Sequence, residues 1–484
     1  MRKRLLLLGA ALLVCRAADD TQQRLAGRAF SETPLLADLH ELCDGIGGRP
    51  TGSPACDRAI EWAAAKFRAA GADRVTTEEF PIPRQWAPRT AEAECVAPAR
   101  FPLRLAAAPY SGSTPGAIEA PVVDAGEGTP EDFARLGAAA RGAIALVSSK
   151  EMKSLDDLFA EYMKSPALVA AARKAGVAAL LVQSTRPHGL LYRHPLAMAN
   201  EPLAPPAAIL SREQAGRLAR LAADGPVRVR LNLQNQTGGP YQSRNVIAEI
   251  RGREQPDEIV LLGAHLDSWD LGTGAEDNGA NAAMVIDVAR AIHGLGLRPR
   301  RTIRFALFTG EEQGMYGSAG YVQRHKDEMS RHNAAVVFDV GSGRTTGFFL
   351  NGREDLRAPL ARGLKGIAGL EAADNPGDAL DGTDNFDFLI SGVPNLVANQ
   401  DAAPYLPQYH AESDTVDRVN TRELRANDAI AAALTWWLAE DAEKFGRRLT
   451  PAEVDKLITD TKLDVQMKAF GQWEDYRAGK RGVR

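Results

Sequence analysis

Cysteine is scarce: four residues in 484, one of them, Cys15, inside an amino-terminal apolar run. Cys43, Cys56 and Cys95 are an odd set and no two have zinc-knuckle spacing, so neither a disulfide framework nor a thiolate metal site organises the fold. An oxidising compartment would permit one pair, Cys43 with Cys56. A basic surplus is lacking too: 58 Lys and Arg stand against 62 Asp and Glu, a net charge of −4. That balance leaves nothing to neutralise a phosphate backbone and excludes nucleic acid as a partner class. No apolar run reaches the roughly 20 residues that span a bilayer, so the mature chain is expected to lack an integral membrane segment. Internal repeats and low-complexity tracts are missing as well. What remains is an ordinary globular composition, 45% apolar and 25% charged, in a chain long enough for two or three folding units.

The chain opens Met1-Arg2-Lys3-Arg4, continues with an apolar run over residues 5–14 and then offers small residues around Ala17. A basic head, a short apolar stretch and a small-residue exit read as a signal peptide over residues 1–17, and so as a secreted or periplasmic product. Lipid anchoring at Cys15 is the lesser reading, because Val14 before it is bulky for such a site.

Two textures follow. Residues 18–102 and 236–445 form one unit, in which short apolar runs at 246–250, 259–262, 303–308, 334–338 and 395–398 alternate with helical stretches such as 281–292 and 423–437. Such runs suit a mostly parallel sheet buried on both faces. The expected fold is therefore α/β, a three-layer sandwich around a central, mostly parallel mixed sheet. A helix read at 56–70 puts Ile60, Ala63, Ala64 and Phe67 on one face and stops at Gly71, a residue suited to a left-handed cap. Residues 103–235 differ: apolar runs at 121–123, 143–147, 178–182 and 205–210, separated by helical stretches and Gly/Pro turns, read as a smaller β-rich unit inserted into the first. Residues 446–484 read as a polar, helical carboxy-terminal extension.

Metal-binding side chains fall at the exits of successive strands, where an α/β sheet places its ligand. The 259–262 strand runs into His265-Leu266-Asp267, and Ala275-Glu276-Asp277-Asn278-Gly279 follows. The 303–308 strand runs out into Thr309-Gly310-Glu311-Glu312, the 334–338 strand meets Asp339, and the loop after 395–398 offers Tyr409-His410. Singly each signal is weak: a lone Asp after a strand is commonly a helix cap, and paired glutamates commonly face water. Together, two imidazoles and three or four carboxylates are the donor set of a two-metal hydrolytic site, where one carboxylate bridges ions about 3.5–4 Å apart. His40, His188, His194, His293, His325 and His332 lack that placement and read as structural or surface residues.

The stretch from His265 to Asn278, the run Thr309 to Gly314, Asp339, and Tyr409-His410 with Ser413-Asp414-Thr415 together resemble the family of co-catalytic zinc aminopeptidases and glutamate carboxypeptidases. Residues 103–235 resemble the protease-associated domain that several members carry. The resemblance implies two zinc ions, although an N/O donor set equally admits cobalt or manganese. It implies Asp277 as the bridge, His265 and Asp339 completing one site, and Glu312 and His410 the other. Asp267 would orient the His265 imidazole. Glu311 would be the general base that takes a proton from the attacking water and passes it to the leaving amine. Tyr409 would donate to the oxyanion, a role that competes with simple packing. A cis Asp277-Asn278 peptide belongs to the same pattern. So does a pocket lining by Gly382-Thr383-Asp384-Asn385-Phe386, which also reads as a plain turn into a helix.

The expected activity is that of a secreted exopeptidase acting on small peptides, with a homodimer compatible; the inserted unit reads as a lid that narrows access, with a dimerisation surface or a protein-binding module as the alternatives. Where the carboxypeptidase branch carries a second acidic residue this chain has Asn278, while Tyr409 to Thr415 reads like the aminopeptidase branch, so the substrate end stays open. Arg344 and Arg353 are candidates to bind a terminal carboxylate. The alternatives are a single-zinc acyltransferase like glutaminyl cyclase and an inactive binding module on the same fold. No ligand is missing, which weighs against the module.

Overall fold

The computed structural model describes residues 20–197 and 202–484; the signal-peptide reading at 1–17, with Cys15, lies outside the described residues. Strands are numbered in chain order: β1 (Arg74–Ile82), β2 (Trp86–Ala97), β3 (Phe101–Leu103), β4 (Leu105–Ala107), β5 (Ile118–Asp124), β6 (Ile144–Val147), β7 (Ala179–Gln183), β8 (Ala207–Leu210), β9 (Arg228–Thr237), β10 (Tyr241–Ile250), β11 (Gln255–His265), β12 (Arg301–Phe308), β13 (His332–Val337), β14 (Thr345–Phe349) and β15 (Asn395–Gln400).

The first sheet has the order β1-β10-β12-β11-β13-β15-β14. Its centre is parallel, β11 with β12 and β13, and β13 with β15, while β1, β10 and β14 join antiparallel. Side chains alternate between two faces along each strand, and both are apolar. Val246, Val260, Leu262, Phe305 and Val336 pack beneath the helices Pro54–Ala69, Ala280–Gly294 and Thr421–Glu440. Ile247, Leu261, Ala306, Phe308 and Ala335 pack on the opposite side with Tyr321 and Val322 of the helix Tyr316–Arg324. This is the expected mixed α/β sandwich. The first of these helices starts at Pro54, where the Ser53 hydroxyl accepts from the Cys56 N–H at 3.1 Å, and it is left through Gly71 at φ +85°, as its sequence requires.

The second sheet has the order β3-β2-β9-β5-β6-β7-β8-β4. It starts at Trp86, upstream of the expected boundary at residue 103, because β2 pairs with β9 from Trp86↔Thr237 to Ala97↔Arg228 and would leave β9 an open edge without it. The polar alternation of β2 and its Pro88 concealed that strand. The carboxy-terminal residues also differ from expectation. The helices Pro451–Asp460, Leu463–Ala469 and Trp473–Arg477 bury Val454, Ile458, Met467 and Tyr476 against Phe386, Leu389 and Ile390, so 446–484 is part of the packed body rather than an appendage.

Cys43, Cys56 and Cys95 are free and buried; the Cys43 thiol faces the Gly274 carbonyl at 3.7 Å and makes no pair with Cys56. Among the described residues no helix is long and apolar enough to cross a membrane.

His332 shows how burial makes the fold sensitive to pH. Its Nδ1 donates to the Glu328 carbonyl at 3.0 Å, leaving Nε2 to accept from the Tyr321 hydroxyl at 2.9 Å. Burial pushes its pKa down to about 3. The unfolded chain would take up a proton below about pH 6.5 that the folded chain refuses, so this contribution is complete above that pH and is lost as the pH falls toward 3. His332→Asn should therefore destabilise most at pH 7, with the gap to the parent narrowing down to pH 4 in urea titrations; a gap that ignores pH contradicts the assignment.

Candidate metal centre

Register brings the candidate ligands to one edge. Gly263 lies opposite Val337 and His265 opposite Phe308, so β11, β12 and β13 end level and the residues leaving them meet above the sheet. His265 is the last residue of β11, Asp339 follows β13, and Glu311 and Glu312 follow β12. Asp277 sits in the short turn Ala275–Gly279 ahead of the helix Ala280–Gly294. The carboxylate of Asp414 anchors that turn, accepting from the N–H groups of Ala275, Glu276 and Asp277 at 3.0, 2.6 and 3.1 Å. Asn278 donates to the Phe338 carbonyl at 2.9 Å, and Glu276 accepts from the Ser342 N–H and hydroxyl, both at 2.6 Å. The Asp277 turn is thereby tied on both sides of Asp339, which gives Asn278 a structural task of its own. The Asp277-Asn278 peptide is cis, as the resemblance implied.

Two clusters result, His265 with Asp277 and Asp339, and Asp277 with Glu312 and His410, all buried. His265 Nε2 is 3.1 Å from Asp277 Oδ1 and 2.8 Å from Asp339 Oδ1. His410 Nε2 is 3.5 Å from Asp277 Oδ2 and 2.8 Å from Glu312 Oε2. Asp277 thus turns one oxygen to each histidine. Asp277 Oδ2 and Glu312 Oε1 are buried and accept no hydrogen bond, and Asp339 Oδ1 faces only the His265 nitrogen, a costly state for carboxylates unless cations complete them. Imidazole nitrogens and carboxylate oxygens without thiolate are a donor set that suits divalent metal.

Each imidazole is held by its other nitrogen, as metal-binding histidines generally are. His265 Nδ1 donates to the backbone carbonyl of Asp267 at 3.0 Å, whereas the Asp267 carboxylate is 3.7 Å away. Asp267 therefore orients the ring through its peptide group. Its side chain accepts from the Thr51 hydroxyl at 2.7 Å and from the Glu311 N–H at 3.4 Å, supporting the Glu311 loop instead. His410 Nδ1 faces the carbonyl of Arg193, in the second unit, at 2.9 Å. Burial pushes the His410 pKa down to about 4, so its Nε2 lone pair is free at neutral pH. For His265 burial works downward too, but Asp339, Asp267 and Asp277 outweigh it and raise the pKa well above the ordinary value. Burial raises Glu311 and Glu312 far above the usual carboxylate range, with Asp339 adding to both.

A cavity of about 280 Å³ opens onto these groups. Glu311, Glu312, Asp339, Tyr405, Tyr409 and His410 form its floor, and Leu155, Leu158, Phe159 and Tyr162 of the second unit form an apolar wall. The ring of Tyr409 stacks on His410 at 3.7 Å and its hydroxyl meets that of Tyr162 at 2.7 Å, so it packs as well as lining the cavity. Gly382 and Thr383 line the cavity and the helix Phe386–Ile390 begins just after them, so both readings of that motif hold. Arg344 pairs with Glu371 and Arg353 with Asp355, and neither lines the cavity; the cations that do are Lys480 and Arg481. Those two, with Tyr162, Arg193 and Tyr405, were not legible as site residues, because they come from other elements and stand in no motif.

Residues 245–435 match the model of peptidase family M28. Over that stretch the chain is similar to that family. It is similar to carboxypeptidase Q of Mus musculus, 28% identical over 410 residues covering 84% of this chain and 86% of that one. Its structure resembles a peptidase M28 precursor from Shewanella amazonensis SB2B, with a TM-score of 0.81 and 29% identity over 90% of this chain and all of that one. It also shares the fold of a zinc aminopeptidase from Bacillus subtilis, with a TM-score of 0.67 and 21% identity over 86% of this chain and 97% of that one.

Because Asp277 belongs to both clusters, Asp277→Ala should lose more divalent metal than Asp339→Ala or Glu312→Ala, each of which spares one cluster. Metal content after dialysis against a buffered metal solution tests this, and equal losses in the three variants would remove Asp277 from its shared position.

Proposed function

We propose that this chain is a secreted two-zinc exopeptidase that hydrolyses short peptides, with residues 1–17 as its export signal and the second unit as a protease-associated domain. The observation that carries the reading is the pair of buried clusters sharing Asp277 beside a cavity that opens onto them. The M28 family and the zinc aminopeptidase of the same fold support zinc as the metal. Zinc in the two clusters would polarise the scissile carbonyl and bring the pKa of a bound water down toward about 7.

The protein's own groups then divide the work. Glu311 lines the cavity next to Glu312 and serves as general base, its ionised form favoured once positive charge occupies the clusters. It holds the proton taken from water and returns it to the departing amine. Tyr405 and Tyr409, both on the cavity floor, are the hydroxyl donors available to the oxyanion. Leu158, Phe159 and Phe470 exclude water from the apolar side. The wall carries Lys480 and Arg481 beside Asp381 and Asp475; Arg481 is bound to Asp387 and Lys480 stands 3.6 Å from Asp475, so Lys480 is the more available partner for a substrate carboxylate.

Glu311→Gln should keep its zinc and lose about 10²–10⁴-fold in kcat; undiminished turnover removes Glu311 from the base role. In a panel of dipeptides, free forms should be cleaved faster than amino-blocked or carboxyl-blocked ones, with metal content measured on the same preparation. A chain that holds one zinc at full activity, or cleaves none of the panel, would refute the proposal.

A further inference from the structure

The second unit contributes more than a wall to the cavity. Its residue Arg193 holds His410 by two backbone contacts and is itself held through its side chain by other segments. The Arg193 carbonyl meets His410 Nδ1 at 2.9 Å, and its N–H donates to the His410 carbonyl at 3.0 Å. Its guanidinium, 4% exposed, donates from Nε and Nη2 to the two carboxylate oxygens of Asp270 at 2.9 and 2.8 Å and from Nη1 to the Ala107 carbonyl at 2.6 Å. Asp270 belongs to the segment between His265 and Asp277, and its neighbour Trp269 packs edge-on to the His410 ring at 6.0 Å. Trp86 of β2 closes the ring of contacts, 5.7 Å from the Arg193 guanidinium and 6.4 Å from Trp269.

We infer that Arg193 is a positioning residue for one metal cluster alone: clamped by Asp270, it presents the carbonyl that fixes the tautomer and angle of His410, so the second unit is a working part of the Asp277–Glu312–His410 subsite. Among the described residues nothing from the second unit performs that task for His265, whose Nδ1 is held by Asp267 of its own loop. The inference rests on the two-metal reading above. It also changes the lid expectation, because removing the second unit would take away a support of a ligand as well as a barrier to large substrates.

A fixed bidentate guanidinium–carboxylate pair is geometrically demanding, so both ends can be tested. Chelator-stripped, full-length protein is titrated with Zn²⁺ by calorimetry, with thermal melts of the metal-free proteins as a check on folding. The parent should show two binding steps; a single step or none defeats the two-metal reading itself. In Arg193→Met, and in the milder Asp270→Asn, one step should weaken by about 10- to 100-fold while the other stays within a few-fold. Arg193→Lys, which keeps a charge for Asp270, should recover part of the loss. With two steps present in the parent, three results overturn the inference: both steps unchanged in both variants, both steps weakened alike, or no recovery with lysine.

Discussion

Burying carboxylates that accept no hydrogen bond is the constraint on which this structure turns. Asp277 and Glu312 carry oxygens sealed from solvent and unmatched by donors, and Asp339 has only the His265 imidazole facing it; left alone these acids would repel one another and favour unfolding or protonation. A scaffold that keeps them together must be rigid where they attach, and it must leave room for positive charge between them. The level ends of β11, β12 and β13 provide the first requirement. The two imidazoles, each with Nε2 turned toward the acids, provide part of the second.

Much of the surrounding structure serves that gathering. Asp414 holds the Asp277 turn by three N–H groups, and Glu276 and Asn278 lash it to the residues flanking Asp339. Arg49 reaches in from the segment before the first long helix and donates to the carbonyls of Leu266, Thr273 and Gly274, shaping the loop between His265 and Asp277. These are polar residues in an interior that favours apolar ones, and each is matched by partners, as burial demands.

The residues of the two clusters and the α/β core were legible in the sequence because each depends on a local signal. An apolar run marks a central strand, and a His or acid at its exit marks the site. The edges were less legible: β14 has only Phe348 and Phe349 as bulky apolar residues in five positions, and β2 is largely half-exposed. Least legible were residues whose role comes from distant partners. Arg193 lies 217 positions from His410, and a spacing of that size leaves no pattern. For Asp267 the sequence indicated the residue without the atom, since the peptide carbonyl and the side chain of one residue cannot be told apart by position.

The site is drawn from remote stretches of chain: His265 to His410 for the ligands, Arg193 for a support, and the helices after Thr450 for a wall. Contacts of such long range form late, since each loop must close before its contacts stabilise anything. The two clusters are therefore complete only once the chain through His410 has folded, and the helices after Thr450 then add the wall beside them.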